Sequence, residues 1–454
     1  VPEVSEAAGA RLAGGRVYLD HAATSPMPEP VLAAYAEALR TVGNPASTHG
    51  HGQRASEVLE GARERLARAL GCDRAELILT GGGTESINAA LKGMFWAARR
   101  AGAAAGAERT VLLVAEGEHH ATVEAAEWLR DEQGAELRWL PVDAEGRLHP
   151  ETLALAISSA GAERVALASF LWANNEVGTV NDVAALCAVA RTAGVATHVD
   201  AVSALGQIPV GFAASGADAL SVSAHKVGGP VGVGALLLGR RAAAEALLHG
   251  GSQQRARSGT QDAAGAVAFA AALDLALDAA GRPDPVRVRR LARLRDRLIE
   301  GVRGIDPAAV LRGADPGSEG REPGSDGRDS GSEGREPGSA GRDPGAADAP
   351  GAAAQPVPQP ARLPGNAHFT FPGCQGDSLV FLLDAAGISV SVGSACQAGV
   401  AEVSHVLLAM GVPEREAAGA LRFTLGPETR EADVDALLAA LPGALERARA
   451  AGLA

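Results

Sequence analysis

Of the 41 Lys and Arg residues in this 454-residue chain, only Lys92 and Lys226 are lysine. Arginine supplies positive charge everywhere else. A lysine kept against that bias points to work a guanidinium cannot do, namely losing its proton and attacking a carbonyl carbon. Lys226 stands in Ser223-Ala224-His225-Lys226, directly after an apolar run. Other reactive groups stand in the same relation to apolar runs. Gly81-Gly82-Gly83-Thr84-Glu85-Ser86 follows Glu76–Thr80, and Glu118 and His119 follow Val111–Ala115. Asn174, Asn175 and Glu176 follow Val165–Leu171, and Asp200 follows Val195–Val199. A glycine run that opens a helix presents backbone N–H groups to an anion such as phosphate. An aspartate leaving an apolar strand needs a cationic partner, which a protonated pyridine nitrogen supplies. An imidazole such as His119 can stack on such a ring or move protons. Each group taken singly also fits a structural role. Together with Lys226 they suit one cofactor, pyridoxal 5′-phosphate (PLP).

The elements that must position these groups can be read from the same runs. With Glu136–Leu140, Ala219–Ser223 and Val233–Leu238 added, seven short apolar runs alternate with helical patterns between Pro28 and Gly239. That alternation predicts crossover connections and a mostly parallel seven-stranded sheet, whose ligands bind beyond the carboxyl ends of the strands. The expected organisation is an α/β chain in three parts. An N-terminal segment, 1–27, packs with the smaller domain. A large domain covers 28–280, and a smaller C-terminal α/β domain covers 281–454. The C-terminal domain is interrupted at 313–360 by low-complexity sequence, in which Gly317–Pro323, Gly324–Ser330, Gly331–Pro337 and Gly338–Pro344 repeat in tandem. Such Gly, Pro, Ser and charge density cannot bury a core, so this insert is expected to be disordered surface chain.

Composition excludes several function classes. A net charge of −13 without a basic cluster argues against nucleic acid. No signal peptide is evident at Val1–Gly15, and the Ala-rich stretch Ala263–Ala280 is broken by Asp274 and Asp278, so no membrane span is expected. The four cysteines, Cys72, Cys187, Cys374 and Cys396, form no CxxC pair, which fits a reducing cytoplasm and no metal site built from protein side chains alone. Cys187 lies in an apolar helical pattern and reads as core, and Cys72 and Cys374 read as turn or loop residues. Only Cys396 sits in Gly393-Ser394-Ala395-Cys396, ahead of a loop of small residues.

The chain resembles the class-V aminotransferases among fold-type I PLP enzymes, and within them the NifS/IscS-like cysteine desulfurases. The resemblance is carried in order by Tyr18–Thr24, Gly43–Ser47, Thr80–Ser86, Glu118-His119, Asn174–Thr179 and His198–Ala201. It continues through Ser223–Lys226, Arg257–Thr260, Gly393–Cys396, Arg422 and Leu425-Gly426, leaving out only the repeat insert. It implies that Lys226 is the Schiff-base lysine and moves the Cα proton. Gly83, Thr84, Ser223 and His225 would bind the phosphate, with Thr260 reaching it from the second subunit of a homodimer. Asp200 would pair the pyridinium nitrogen, Asn175 and Ser203 would lie by the ring hydroxyl, and His119 would stack on the ring. Asn44 and Arg422 would hold the carboxylate of L-cysteine. Cys396 would accept the sulfur as a persulfide, leaving alanine. The acceptor beyond it would be an iron–sulfur scaffold or a tRNA-thiolation enzyme, and the persulfide could contact a nascent iron–sulfur cluster.

Three positions depart from the family pattern. Ser203 stands where glutamine is usual, Gln397-Ala398 where Thr-Ser is frequent, and Pro427 where arginine is common. Two other readings stay open at this point: a selenocysteine lyase or aminotransferase on the same fold, and a sulfur-relay or scaffold-binding protein.

Overall fold

The structure is a computed structural model that describes residues 15–251, 253–316, 359–393 and 403–451. Cys396 and the tandem repeat Gly317–Pro344 lie outside the described residues. The chain opens with a two-residue strand, β1 (Val17–Tyr18). Seven strands follow: β2 (Leu77–Thr80), β3 (Val111–Ala115), β4 (Glu136–Leu140), β5 (Val165–Leu171), β6 (Thr197–Asp200), β7 (Ala219–Ser223) and β8 (Gly234–Leu238). They form one sheet in the order β2-β8-β7-β6-β5-β3-β4. All neighbouring pairs are parallel except those of β8, which runs antiparallel to both β2 and β7. Two reversals cancel, so β2 runs the same way as β7. The carboxyl ends of β2, β3, β5, β6 and β7 therefore open on one edge of the sheet.

Apart from the half-buried edge strand β4, this sheet is buried on both faces, which is why most of its strands read as continuous apolar runs rather than as alternating ones. The faces still separate by the two-residue period of a strand. Val111, Leu113 and Ala115 of β3 join one core with Phe170, Phe212 and Phe269. Leu112 and Val114 join the other, with Ile87, Met94 and Phe95 of the helix Gly83–Ala104. That helix begins where Gly82 adopts φ 135°, a conformation that a side chain would strain.

Among the described residues four further strands follow: β9 (Val310–Arg312), β10 (Asn366–Thr370), β11 (Ile388–Ser389) and β12 (Ala420–Thr424). β9, β10 and β12 form an antiparallel sheet with β10 at its centre. Leu294, Leu298 and Val302 of the helix Pro285–Ile305 share its core with Leu437 and Leu441 of the helix Glu431–Ala450. β1 pairs in parallel with β11, and Asp20 bridges to Thr424. The chain then crosses back to the large sheet: Ser25 N–H donates to the His225 carbonyl at 2.9 Å, and Ser25 Oγ to the Lys226 carbonyl at 3.1 Å. This crossing sets the amino-terminal turn against the end of β7. Among the described residues no helix is long and apolar enough to cross a membrane.

Candidate active site

Gly83, Thr84, His119, Asn175, Asp200, Ser203, Ser223, His225, Lys226 and Arg422 all line one cavity of about 370 Å³ at the carboxyl edge of the large sheet. Gly393, three residues before Cys396, also lines it. Two expected residues stand elsewhere in this chain. Asn44 is exposed, its Oδ1 accepting from Ala46 N–H at 2.9 Å, and Thr260 is exposed; neither lines the cavity.

Lys226 follows β7 in a short 3₁₀ turn, and its ammonium donates to the carbonyls of Ala22 at 2.5 Å and Ala23 at 3.0 Å. Burial, reinforced by the Arg422 charge and opposed by Asp200 and Asp20, lowers its pKa to about 8. A free amine is thus accessible close to neutral pH, which the nucleophilic role requires. Asp200 ends β6, is 2% exposed, and accepts a hydrogen bond from Val202 N–H at 2.9 Å. Burial lifts its pKa to about 6, outweighing the Val202 hydrogen bond and the Lys226 charge, which both lower it.

His119 caps the helix His120–Gln133, its Nδ1 accepting from Ala121 N–H at 3.1 Å. Burial first, then Lys226 and its imidazole neighbours, lowers its pKa to about 4, so the ring stays neutral. His225, beside Thr24 Oγ1 at 3.3 Å, is likewise lowered to about 4, mainly by burial and then by Lys226. Arg422 on β12 is largely committed already. Its Nη1 donates to the Asn175 carbonyl and its Nη2 to Asp20 Oδ1, both at 2.9 Å. A substrate carboxylate would have to share this guanidinium with Asp20.

Several further residues line the cavity, among them Glu118 and Glu176, which stand in the motifs named above, and His120 and His405, which do not. Glu118 accepts from Leu171 N–H at 2.7 Å through Oε1, while burial and the nearby Asp200 charge hold its pKa well above the carboxylate range. Glu176 Oε2 accepts from Ser404 Oγ at 2.5 Å. His120 and His405 line the cavity with their rings 4.7 Å apart. His120 was legible only as the neighbour of His119. His405, from the far end of the chain, is brought in by tertiary packing.

The unpartnered polar atoms of the cavity suit PLP. Among the described residues, Asn175 Oδ1, Ser223 Oγ and Arg422 Nε are buried without a hydrogen-bond partner. Orphaned groups of this kind are rare in native interiors and call for a ligand or water. They meet the helix N-terminus at Gly83, where an added Cβ would come within 2.9 Å of Val202 Cγ2. An anion-binding helix end, an unpaired carboxylate and an accessible amine therefore share one space, and the residues fit the group.

The aminotransferase class-V family profile matches residues 17–306 and 351–437. The chain belongs to that family. It is 45% identical over 438 residues to the "IscS-like cysteine desulfurase" of Mycobacterium tuberculosis, covering 96% of this chain and 98% of that one. It is 36% identical to the "Cysteine desulfurase" of Cereibacter sphaeroides, covering 96% and 97%. Among solved structures it superposes on a "NifS-like protein" with a TM-score of 0.75 at 30% identity, over 95% of this chain and all of that one. These matches bear out the fold-type I α/β architecture expected of this class-V member.

Proposed function

We propose that this class-V family member is a PLP-dependent cysteine desulfurase, acting on L-cysteine to give L-alanine and a persulfide on Cys396. One observation carries the cofactor assignment: Lys226, Asp200 and three unpartnered buried polar atoms share a single cavity. The names and full-length identity of the relatives carry the substrate.

Bound here, PLP would supply an electron sink that weakens the substrate's Cβ–S bond. The protein's own groups do the rest. Lys226 Nζ would attach the cofactor and move the Cα proton. Asp200 would keep the cofactor's ring nitrogen protonated. Gly83, Thr84, Ser223 and His225 would hold the phosphate, with Thr260 joining them from the second subunit of a homodimer. Asn175 and Ser203 would bind the cofactor's hydroxyl. Neutral His119 would pack against the cofactor, where a charged imidazolium would be desolvated at a cost. Arg422 orients the substrate carboxylate, with Asn44 in the same role. Cys396 takes the sulfur and passes it to an acceptor of iron–sulfur assembly or tRNA thiolation in the cytoplasm.

The test is product analysis with PLP-loaded protein. Alanine formed in proportion to the L-cysteine consumed supports the reading. Amination of keto acids at a higher rate would replace it with an aminotransferase.

A further inference from the structure

The turn Asp20–Thr24 touches Lys226 and Arg422 alike. Lys226 Nζ donates to the carbonyls of Ala22 and Ala23, and Arg422 Nη2 donates to Asp20 Oδ1 at 2.9 Å. The turn is also tied to β12, the strand that bears Arg422. Ala22 N–H donates to Thr424 Oγ1 at 2.9 Å, Thr424 N–H donates to the Leu19 carbonyl at 2.8 Å, and Asp20 bridges to Thr424. Tyr18 closes the turn, its hydroxyl shared between the carbonyls of Asp20 at 3.0 Å and Thr24 at 2.9 Å. Asp20 is therefore a fixed partner of Arg422.

The pair is sheltered as well as fixed. The Arg422 side chain is 5% exposed and that of Asp20 20%, so water and salt screen them less than they screen a surface pair. A carboxylate takes two parallel bonds from a guanidinium, either from Nη1 and Nη2 or from Nε and Nη2. Nη2 enters both arrangements, and one of its two hydrogens is committed to Asp20. Nη1 is held in addition by the Asn175 carbonyl at 2.9 Å. A carboxylate arriving in the cavity thus meets a guanidinium whose charge is already balanced and whose fork is partly taken.

We propose that Asp20 is a specificity-determining residue of this site: it competes with the α-carboxylate of the amino acid for Arg422, and so keeps both L-cysteine and the product L-alanine weakly held. The inference rests on the reading above in which Arg422 orients the substrate carboxylate. Weak holding suits turnover, because binding that is equally strong in substrate and product slows release without raising the chemical rate. An amine without a carboxylate does not enter the competition. Asp20 therefore sets how far the cavity favours amino acids over simple amines.

The test titrates the visible cofactor band of PLP-loaded wild type, Asp20→Asn, Asp20→Ser and Asp20→Glu with L-alanine and with ethylamine, which is alanine without its carboxylate. The Asp20 charge also raises the Lys226 pKa. That influence acts on any amine, so the quantity read is the ratio of the two affinities. Freeing Nη2 gives the carboxylate one more charge-assisted hydrogen bond, so Asp20→Asn should raise the preference for L-alanine about tenfold. Asp20→Ser, which also removes the amide oxygen, should go at least as far. Asp20→Glu keeps the charge and should stay nearer to wild type than either. The KM for L-cysteine should fall in the two neutral variants, and added L-alanine should inhibit them more strongly. An unchanged or lower ratio in both neutral variants overturns the proposal and makes Asp20 a prop that orients Arg422. Wild type that forms no alanine from L-cysteine removes the desulfurase reading instead, and the ratio still decides the role of Asp20.

Discussion

Replacing Asp200 by asparagine should stabilise the cofactor-free protein and weaken the cofactor-loaded one. Asp200 is 2% exposed and its carboxylate is met by a hydrogen bond from Val202 N–H, with no ion pair among the described residues. Burial raises its pKa from 3.8 to about 6. For an acid whose folded pKa is raised, the folded state binds more protons between the two values. The penalty is absent below the unfolded pKa, grows as pH rises through that window, and is complete above the folded pKa. A shift of about two units at about 1.4 kcal/mol each makes it roughly 3 kcal/mol at pH 8. Asparagine keeps the Val202 contact without the charge. With an unfolding entropy of about 2.1 cal/mol/K per residue, roughly 0.9 kcal/mol/K for this chain, 3 kcal/mol is about 3 °C in Tm. Thermal melts of cofactor-stripped protein should therefore place Asp200→Asn about 3 °C above wild type at pH 8, with the gap narrowing at pH 4.5. Saturating PLP should reverse the order, because asparagine cannot hold the ring proton by charge. A cofactor-free variant that melts lower than wild type at pH 8, or a gap independent of pH, would refute the reasoning.

Two further outcomes are expected. Lys226→Arg should fold yet retain no cofactor after borohydride treatment, because a guanidinium stays protonated; mass-spectrometric labelling of Lys92 in wild type would move the assignment. Replacing Gly317–Pro344 with a short Gly/Ser linker should leave Tm and turnover almost unchanged, since loop closure changes by only ~0.6 kcal/mol per doubling of length. A drop of many degrees in a thermal melt would give the repeat a structural role.

Most of the large sheet was legible because its strands are buried on both faces and bounded by polar punctuation. All seven expected runs became strands within about two residues of their observed ends. Direction was not legible. An apolar run reads the same either way, so the antiparallel insertion of β8 between β2 and β7 appears only in the hydrogen bonding. The cavity residues that follow strands, from Thr84 to Lys226, were found because the strand ends announce them. Residues delivered by long-range packing left no such signal. Ser404 and His405 reach Glu176 and Glu118 across more than two hundred residues of chain. The Asp20 grip on Arg422 joins opposite ends of the sequence. Arg362 is similar: it is 1% exposed and donates to the carbonyls of Ala314 and Arg312, a burial that no local pattern around it foretells.

The most direct test of the central claim is a single turnover. PLP-loaded protein is mixed with less than one equivalent of L-cysteine, and alanine and protein-bound sulfur are counted together. One alanine should appear for each sulfur added to the protein as a persulfide, a mass increase of about 32 Da located to the peptide bearing Cys396. Cys396→Ser should keep its cofactor band and form almost no alanine. Sulfur found on Cys72, Cys187 or Cys374, or near-normal alanine from Cys396→Ser, would contradict the account.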